Sequence, residues 1–106
     1  MSSEDLSNLD PVPIKDVDSE EIQGLGEFAV REHNEEKGEN LEFVKVINGF
    51  EQGRRGVRII FTIVLSAKNC NGIIWTYKAK VFFNLRAAVR LLEFEAVLPE
   101  NGNQQS

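Results

Sequence analysis

Apolar side chains recur at Ile22, Leu25, Ala29 and Val30, with Gly26 and His33 on the same stripe. That spacing of three to four residues predicts a helix over about Asp18–Lys37 that buries one face. Asp18 is a good N-cap, Glu21 three residues on would complete a capping box, and Val17 with Ile22 could form a hydrophobic staple. Gly38 is the natural stop. Gly24 and Gly26 each cost about 1 kcal/mol of helix propensity against alanine. A glycine on the buried stripe is best explained by close approach of a sheet.

After Gly38 the period changes to two. Leu41 to Ile47 reads as a strand, and Asn48-Gly49 as the start of a turn region. Val57 to Ala67 is strongly β-forming, with Ile59, Phe61, Ile63 and Leu65 on one face. Asn69-Cys70-Asn71-Gly72 is a tight-turn signal. Ile73 to Phe83 follows, with Trp75, Tyr77, Ala79 and Val81 alternating against Thr76, Lys78 and Lys80. The last element reads two ways: Arg86 to Leu92 has helix propensity, whereas Leu92, Phe94 and Ala96 fit a strand face. One helix followed by strands joined through hairpins predicts an α+β fold, an antiparallel sheet curled around the helix. The pattern alone does not separate this from other helix-wrapping sheets such as the hotdog thioesterases.

At 106 residues the chain is one domain with a single core. The division expected is a flexible arm over residues 1–12, a folded domain over 13–98 and a disordered tail over 99–106. The longest apolar run, Ile59 to Leu65, is far too short to cross a membrane. MSSEDLSNLD has neither the basic nor the apolar region of a signal peptide, and one cysteine, Cys70, suits a reducing compartment. The expectation is therefore a cytoplasmic protein, or one from which a presequence has been removed. Net charge is −5, but unevenly divided: residues 1–51 hold 14 acidic and 4 basic side chains, while residues 52–92 hold 8 basic and no acidic ones. The plain consequence is attraction between an acidic helix and a basic sheet; the sharper one is a basic surface made for an acidic partner.

Leu25 to Asn34, LGEFAVREHN, resembles the helix signature of the plant cystatins, protein inhibitors of papain-like cysteine proteases. Pro13 to Val17, Leu41 to Val46, Tyr77 to Val81 and the residues Leu91, Glu93 and Phe94 resemble the same family, so the likeness covers roughly Pro13 to Val97. It implies a cystatin-like fold, in which four antiparallel strands and a short N-terminal strand wrap one helix. It also implies a reversible, non-enzymatic inhibitor that occludes the protease cleft with an arm and two hairpins. Family members carry a glycine in the arm, Gln-x-Val-x-Gly in the first hairpin and Pro-Trp in the second. Here the arm reads Leu9-Asp10, and the first hairpin reads Gln52-Gly53-Arg54-Arg55-Gly56 with arginine in place of valine. Asn84-Leu85 or Leu85-Arg86 stands at the second hairpin, which has neither proline nor tryptophan. Leu9, Asp10, Gln52, Gly53, Arg54, Arg55, Gly56, Asn84 and Leu85 are the expected protease contacts. The alternative is a non-inhibitory module on the same scaffold, whose basic loops bind another acidic protein.

Other chemistries lack a constellation. His33 and Cys70 are single, one on the helix stripe and one in a turn, which gives no nucleophile–base pair. No Cys/His cluster suggests a metal, and no cofactor is implied. The helix acids Glu20, Glu21, Glu27, Glu32, Glu35 and Glu36 read as a solvated face, although a hotdog-type enzyme would use such an acid. Arginines near 54–58 with Trp75, Tyr77, Phe82 and Phe83 do not form a nucleic-acid motif, because strand alternation buries several of those rings. The expected species is a monomer, with a domain-swapped dimer as the hazard of a long first hairpin.

Overall fold

A computed structural model describes residues 10–54, 57–84 and 89–97. Within them lie β1 (Val12–Pro13), α1 (Glu20–Lys37), β2 (Glu42–Arg54), β3 (Arg58–Lys68), β4 (Ile74–Asn84) and β5 (Arg90–Ala96). The strands form one antiparallel sheet in chain order, β1-β2-β3-β4-β5. Proline is tolerated at Pro13 because β1 is an edge strand that needs no full ladder of N–H donors. This is the cystatin-like α+β arrangement that the periodicity and the family resemblance lead one to expect.

The core lies between α1 and the inner face of the sheet. Ile22, Leu25, Ala29 and Val30 of the helix meet Val46 of β2, Ile59, Phe61, Ile63, Leu65 and Ala67 of β3, and Ala79 and Val81 of β4. In β3 burial alternates strictly, as a period of two requires when one face is covered. Gly26 is the point of closest approach. A β-carbon there would stand 2.6 Å from both the Phe43 ring and a Val46 methyl group.

Two expectations about local structure are corrected. The N-cap is Ser19, not Asp18: its Oγ accepts from the Ile22 N–H at 3.2 Å, and the helix begins at Glu20. A turn closed by the Ser19 N–H on the Asp16 carbonyl places Asp18 in the approach to the helix. Asn48-Gly49 is not a turn; β2 continues through it to Arg54. Its register against β3 shifts between Phe43 and Lys45 and again between Val46 and Asn48, two bulges that bend the strand around the helix. Gly49 serves packing there, since a β-carbon would lie 2.7 Å from the Thr62 carbonyl oxygen. The closing element is a strand over Arg90–Ala96, which settles that ambiguity for the described residues.

Below the short β1, the outer edge of β2 is met by helix side chains. The Gln23 carboxamide accepts from the Val46 N–H at 3.0 Å and donates to the Val46 carbonyl at 3.3 Å and the Val17 carbonyl at 2.7 Å. Eleven residues on, about three helical turns, Asn34 does the same to Leu41, accepting from its N–H and donating to its carbonyl, each at 3.0 Å.

The C-terminal end of α1 is tied to the sheet by a second cluster. Gly38 adopts the left-handed conformation (φ 67°) and closes the helix on Asn34. His33 stacks on Phe94 with ring centroids 4.1 Å apart, and its Nε2 donates to Glu39 at 2.9 Å. Tyr77 packs against the other side of this group, 5.2 Å from Phe94. Burial, and secondarily the Glu39 carboxylate, push the Tyr77 phenol above the ordinary tyrosine value of 10.0. The neutral phenol is thus the form the fold prefers. Its contribution to stability is intact below pH 10 and falls as pH rises beyond it, because the unfolded chain ionises first. Tyr77 is the only tyrosine. Absorbance titration near 295 nm should show a midpoint above 10 that moves down in Glu39→Gln, and urea stability should drop between pH 9 and pH 11.

Candidate functional site

The meander brings three chain segments to one end of the sheet. Val12 pairs with Glu51 and Pro13 with Phe50, so the arm enters beside the first hairpin with Asp10 and Pro11 running towards its tip. That hairpin has the register Gln52 to Ile60, Gly53 to Ile59 and Arg54 to Arg58. Arg58 in turn pairs with Asn84, which places the end of β4 directly beside the hairpin. Arg90, where β5 begins, pairs with Phe82 at the same end. The opposite end holds the helix C-terminus and the Asn69–Gly72 turn. There Asn69 Oδ1 accepts from the Asn71 and Ile73 N–H groups at 2.9 and 3.0 Å. Exposed Cys70 sits in that turn, far along the sheet from the hairpin.

Asp10, Gln52, Gly53, Arg54 and Asn84 are therefore brought to the same end of the sheet. Leu9, Arg55, Gly56 and Leu85 lie outside the described residues. Gly53 has φ +134°, a conformation that favours glycine. Its α-carbon also faces the opposite strand so closely that a β-carbon would come within 2.5 Å of the Arg58 carbonyl oxygen.

The charge pattern of the tip is unusual for a hairpin. Arg54 and Arg58 stand directly across the ladder from one another. Like charges in opposite positions disfavour strand pairing. Among the described residues no carboxylate forms an ion pair with either.

Sequence reasoning did not find a second feature adjoining the tip. A hollow of about 380 Å³ opens on the outer face of the sheet, lined among others by Pro11, Phe50, Gln52, Ile60, Thr62 and Lys80. Its signal was present in β3, where Ile59-Ile60-Phe61 and Ile63-Val64-Leu65 are apolar at both parities and so supply both faces. Among the described residues no three His, Cys, Asp or Glu side chains gather as a metal site would need. Likewise no described helix is long and apolar enough to cross a membrane.

Residues 14–97 match the family model of the aspartic acid proteinase inhibitors, described as SQAPI. Cysteine proteinase inhibitor 1 of Actinidia chinensis var. chinensis is 31% identical over 70 residues, 66% of this chain and 58% of that protein. Cysteine proteinase inhibitor A of Helianthus annuus is 45% identical over 62 residues, 58% of this chain and 72% of that protein. The chain thus spans less than two thirds of the first relative's length and nearly three quarters of the second's. All three are named for inhibiting proteinases rather than for catalysis. From Ile14 to Val97 the family match takes in the helix and β2 to β5, and this chain belongs to the aspartic acid proteinase inhibitor family, a phytocystatin-like group.

Proposed function

We propose that this protein is a reversible inhibitor of proteases that fills the target's active-site cleft with its arm and hairpin tips. Close-fitting loops of this kind exclude substrate without placing a scissile bond at the reactive centre. The observation that carries the reading is the convergence of Asp10, Gln52–Arg54 and Asn84 at one end of a sheet whose family is named for proteinase inhibition.

The leading target class is the aspartic proteases, after the family. Their cleft centres on two carboxylates sharing one proton. A guanidinium brought to such a site meets charge, whereas the same group packed against an uncharged wall loses solvation worth several kcal/mol with nothing in return. Arg54, standing where cystatins carry valine, favours the acidic cleft. The second reading is a papain-like cysteine protease, favoured by Gln52 and Gly56, which survive from the cystatin hairpin pattern, and by the names of both relatives.

Titration of a pepsin-type aspartic protease and of papain, each at low and moderate salt, tests both. The leading reading expects saturable inhibition of the aspartic enzyme, weaker as salt rises. It also expects a loss of about tenfold or more in Arg54→Ala, the scale of a truncated interface arginine. Inhibition of papain alone would transfer the assignment to the cysteine class. If the folded protein inhibits neither, the inhibitor reading falls and the non-inhibitory binding module takes its place. Salt-sensitive capture of an acidic protein, lost in Arg54→Ala, would identify that module.

A further inference from the structure

The outer hollow adjoins the tip without belonging to it. Phe50 lies four residues back from Arg54 on β2, about 13 Å at strand rise, and is 48% exposed. Its pair across the ladder is Thr62, and Gln52 pairs with Ile60, so these four side chains share the outer face. Thr62 also pairs with Lys80 of β4, which brings an ammonium group to the rim of the apolar floor. Lys80 is half-buried; Glu93 of β5 stands across the ladder from it, yet among the described residues no ion pair closes on its ammonium. Two residues back along β4, Lys78 does pair with Glu95, at 3.7 Å. Pro11 closes the side of the hollow nearest the arm.

Phe50 and Ile60 give the hollow an apolar floor, with the Lys80 ammonium at its rim. The volume of about 380 Å³ is room enough for one large side chain. Continuity with the tip through Gln52 and Pro11 decides what could reach it: whatever holds the tip also overhangs the hollow.

We infer that this hollow is an accessory contact for the same target protease, taking from the cleft rim a loop that presents one large apolar side chain next to a carboxylate. The apolar group packs on Phe50 and Ile60, and the carboxylate meets Lys80. This rests on the inhibitor reading, and it supplies what that reading lacks. Hairpin tips alone offer a narrow surface, whereas stable protein complexes bury about 800 Å² per partner. A contact of this kind acts after encounter, so it slows dissociation more than it speeds association.

The experiment is inhibition kinetics with whichever of the two proteases the wild-type protein inhibits, comparing Phe50→Ser, Lys80→Glu and the double variant. Both positions face outward, so circular dichroism should match wild type, while Lys80→Glu, which sets a second carboxylate across the ladder from Glu93, lowers the unfolding midpoint slightly. The expected result is a dissociation rate raised about tenfold in each single variant, the range of interface anchors. The double variant should fall short of the product of the two, because one loop uses both groups. Wild-type inhibition with unchanged dissociation in Phe50→Ser and Lys80→Glu would overturn the accessory contact and leave the inhibitor reading standing. A folded wild type that inhibits neither enzyme would overturn the reading and the contact together. Sedimentation of the free protein gives the remaining outcome: a dimer that Phe50→Ser dissolves would assign the hollow to a second copy and overturn its assignment to the protease.

Discussion

Gly53→Ala lowers stability by about 3 kcal/mol or more and strips the first hairpin of its shape. Two costs combine. The backbone at Gly53 sits at φ +134°, where an L side chain is strained by about 1–3 kcal/mol. The new β-carbon would also stand 2.5 Å from the Arg58 carbonyl oxygen and 2.9 Å from the Ile59 α-carbon. Both are backbone atoms of the paired strand, so no rotamer change removes the clash; the ladder itself must open. Thermal unfolding should show a midpoint reduced by some 10 °C or more, at about 4–8 °C per kcal/mol for a domain near this size. Hydrogen exchange should place the first loss of protection at Gln52–Arg54 and Arg58–Ile60. Because the same residues form the candidate contact edge, inhibition should fall by more than the unfolded fraction explains. A variant with wild-type midpoint and protection would show that the hairpin can take another path.

Gly26→Ala and Gly24→Ala should move stability in opposite directions, although both replace a helical glycine by the best helix former. At Gly24 nothing lies within 4 Å of an added β-carbon, and the variant gains about 1 kcal/mol of helix propensity. At Gly26 the methyl group meets the Phe43 ring and a Val46 methyl at 2.6 Å. Phe43 is half-buried and could swing, but Val46 is 1% exposed, β-branched and held by Gln23 on its backbone. Overpacking of about 1–3 kcal/mol therefore outweighs the propensity gain. Denaturant unfolding of the two variants beside wild type checks the sign. Stabilisation at both positions would mean that helix and sheet can part without loss.

The contrast between those two glycines also shows what was legible in the sequence. A glycine on the apolar stripe beside Leu25 and Ala29 announced a sheet at close range, and one off the stripe did not. The faces of β3 could be read because strict alternation leaves a single register that buries Ile59, Phe61, Ile63 and Leu65. Asn48-Gly49 misled because a dipeptide carries turn chemistry wherever it stands. Only the paired strand, with Thr62 and Ile63 lying against Gly49, reveals that the glycine is there for space. Asp18 and Ser19 are both good caps in adjacent positions, and the turn closed by the Asp16 carbonyl, rather than propensity, chooses between them. Asp10, Gln52, Gly53, Arg54 and Asn84 could be named as a group because the family resemblance supplied the topology that unites them. The Arg54–Arg58 confrontation and the hollow at Phe50 and Lys80 are properties of which residues pair across β2–β3 and β3–β4, which no single segment of the sequence states.

Gln23 and Asn34 give the molecule a kind of ageing. A carboxamide sets an N–H donor and a carbonyl acceptor side by side, the smallest imitation of a peptide group, and at Val46 and Leu41 it occupies positions a neighbouring strand would otherwise seek. Hydrolysis of either amide, the slow spontaneous fate of such side chains, leaves a carboxylate with two acceptors and no donor. One oxygen can still receive the strand N–H, while the other is turned against a carbonyl and repelled. A molecule hydrolysed at either side chain would lose that match beside the start of β2, leaving backbone groups of Val46 or Leu41 open to another chain.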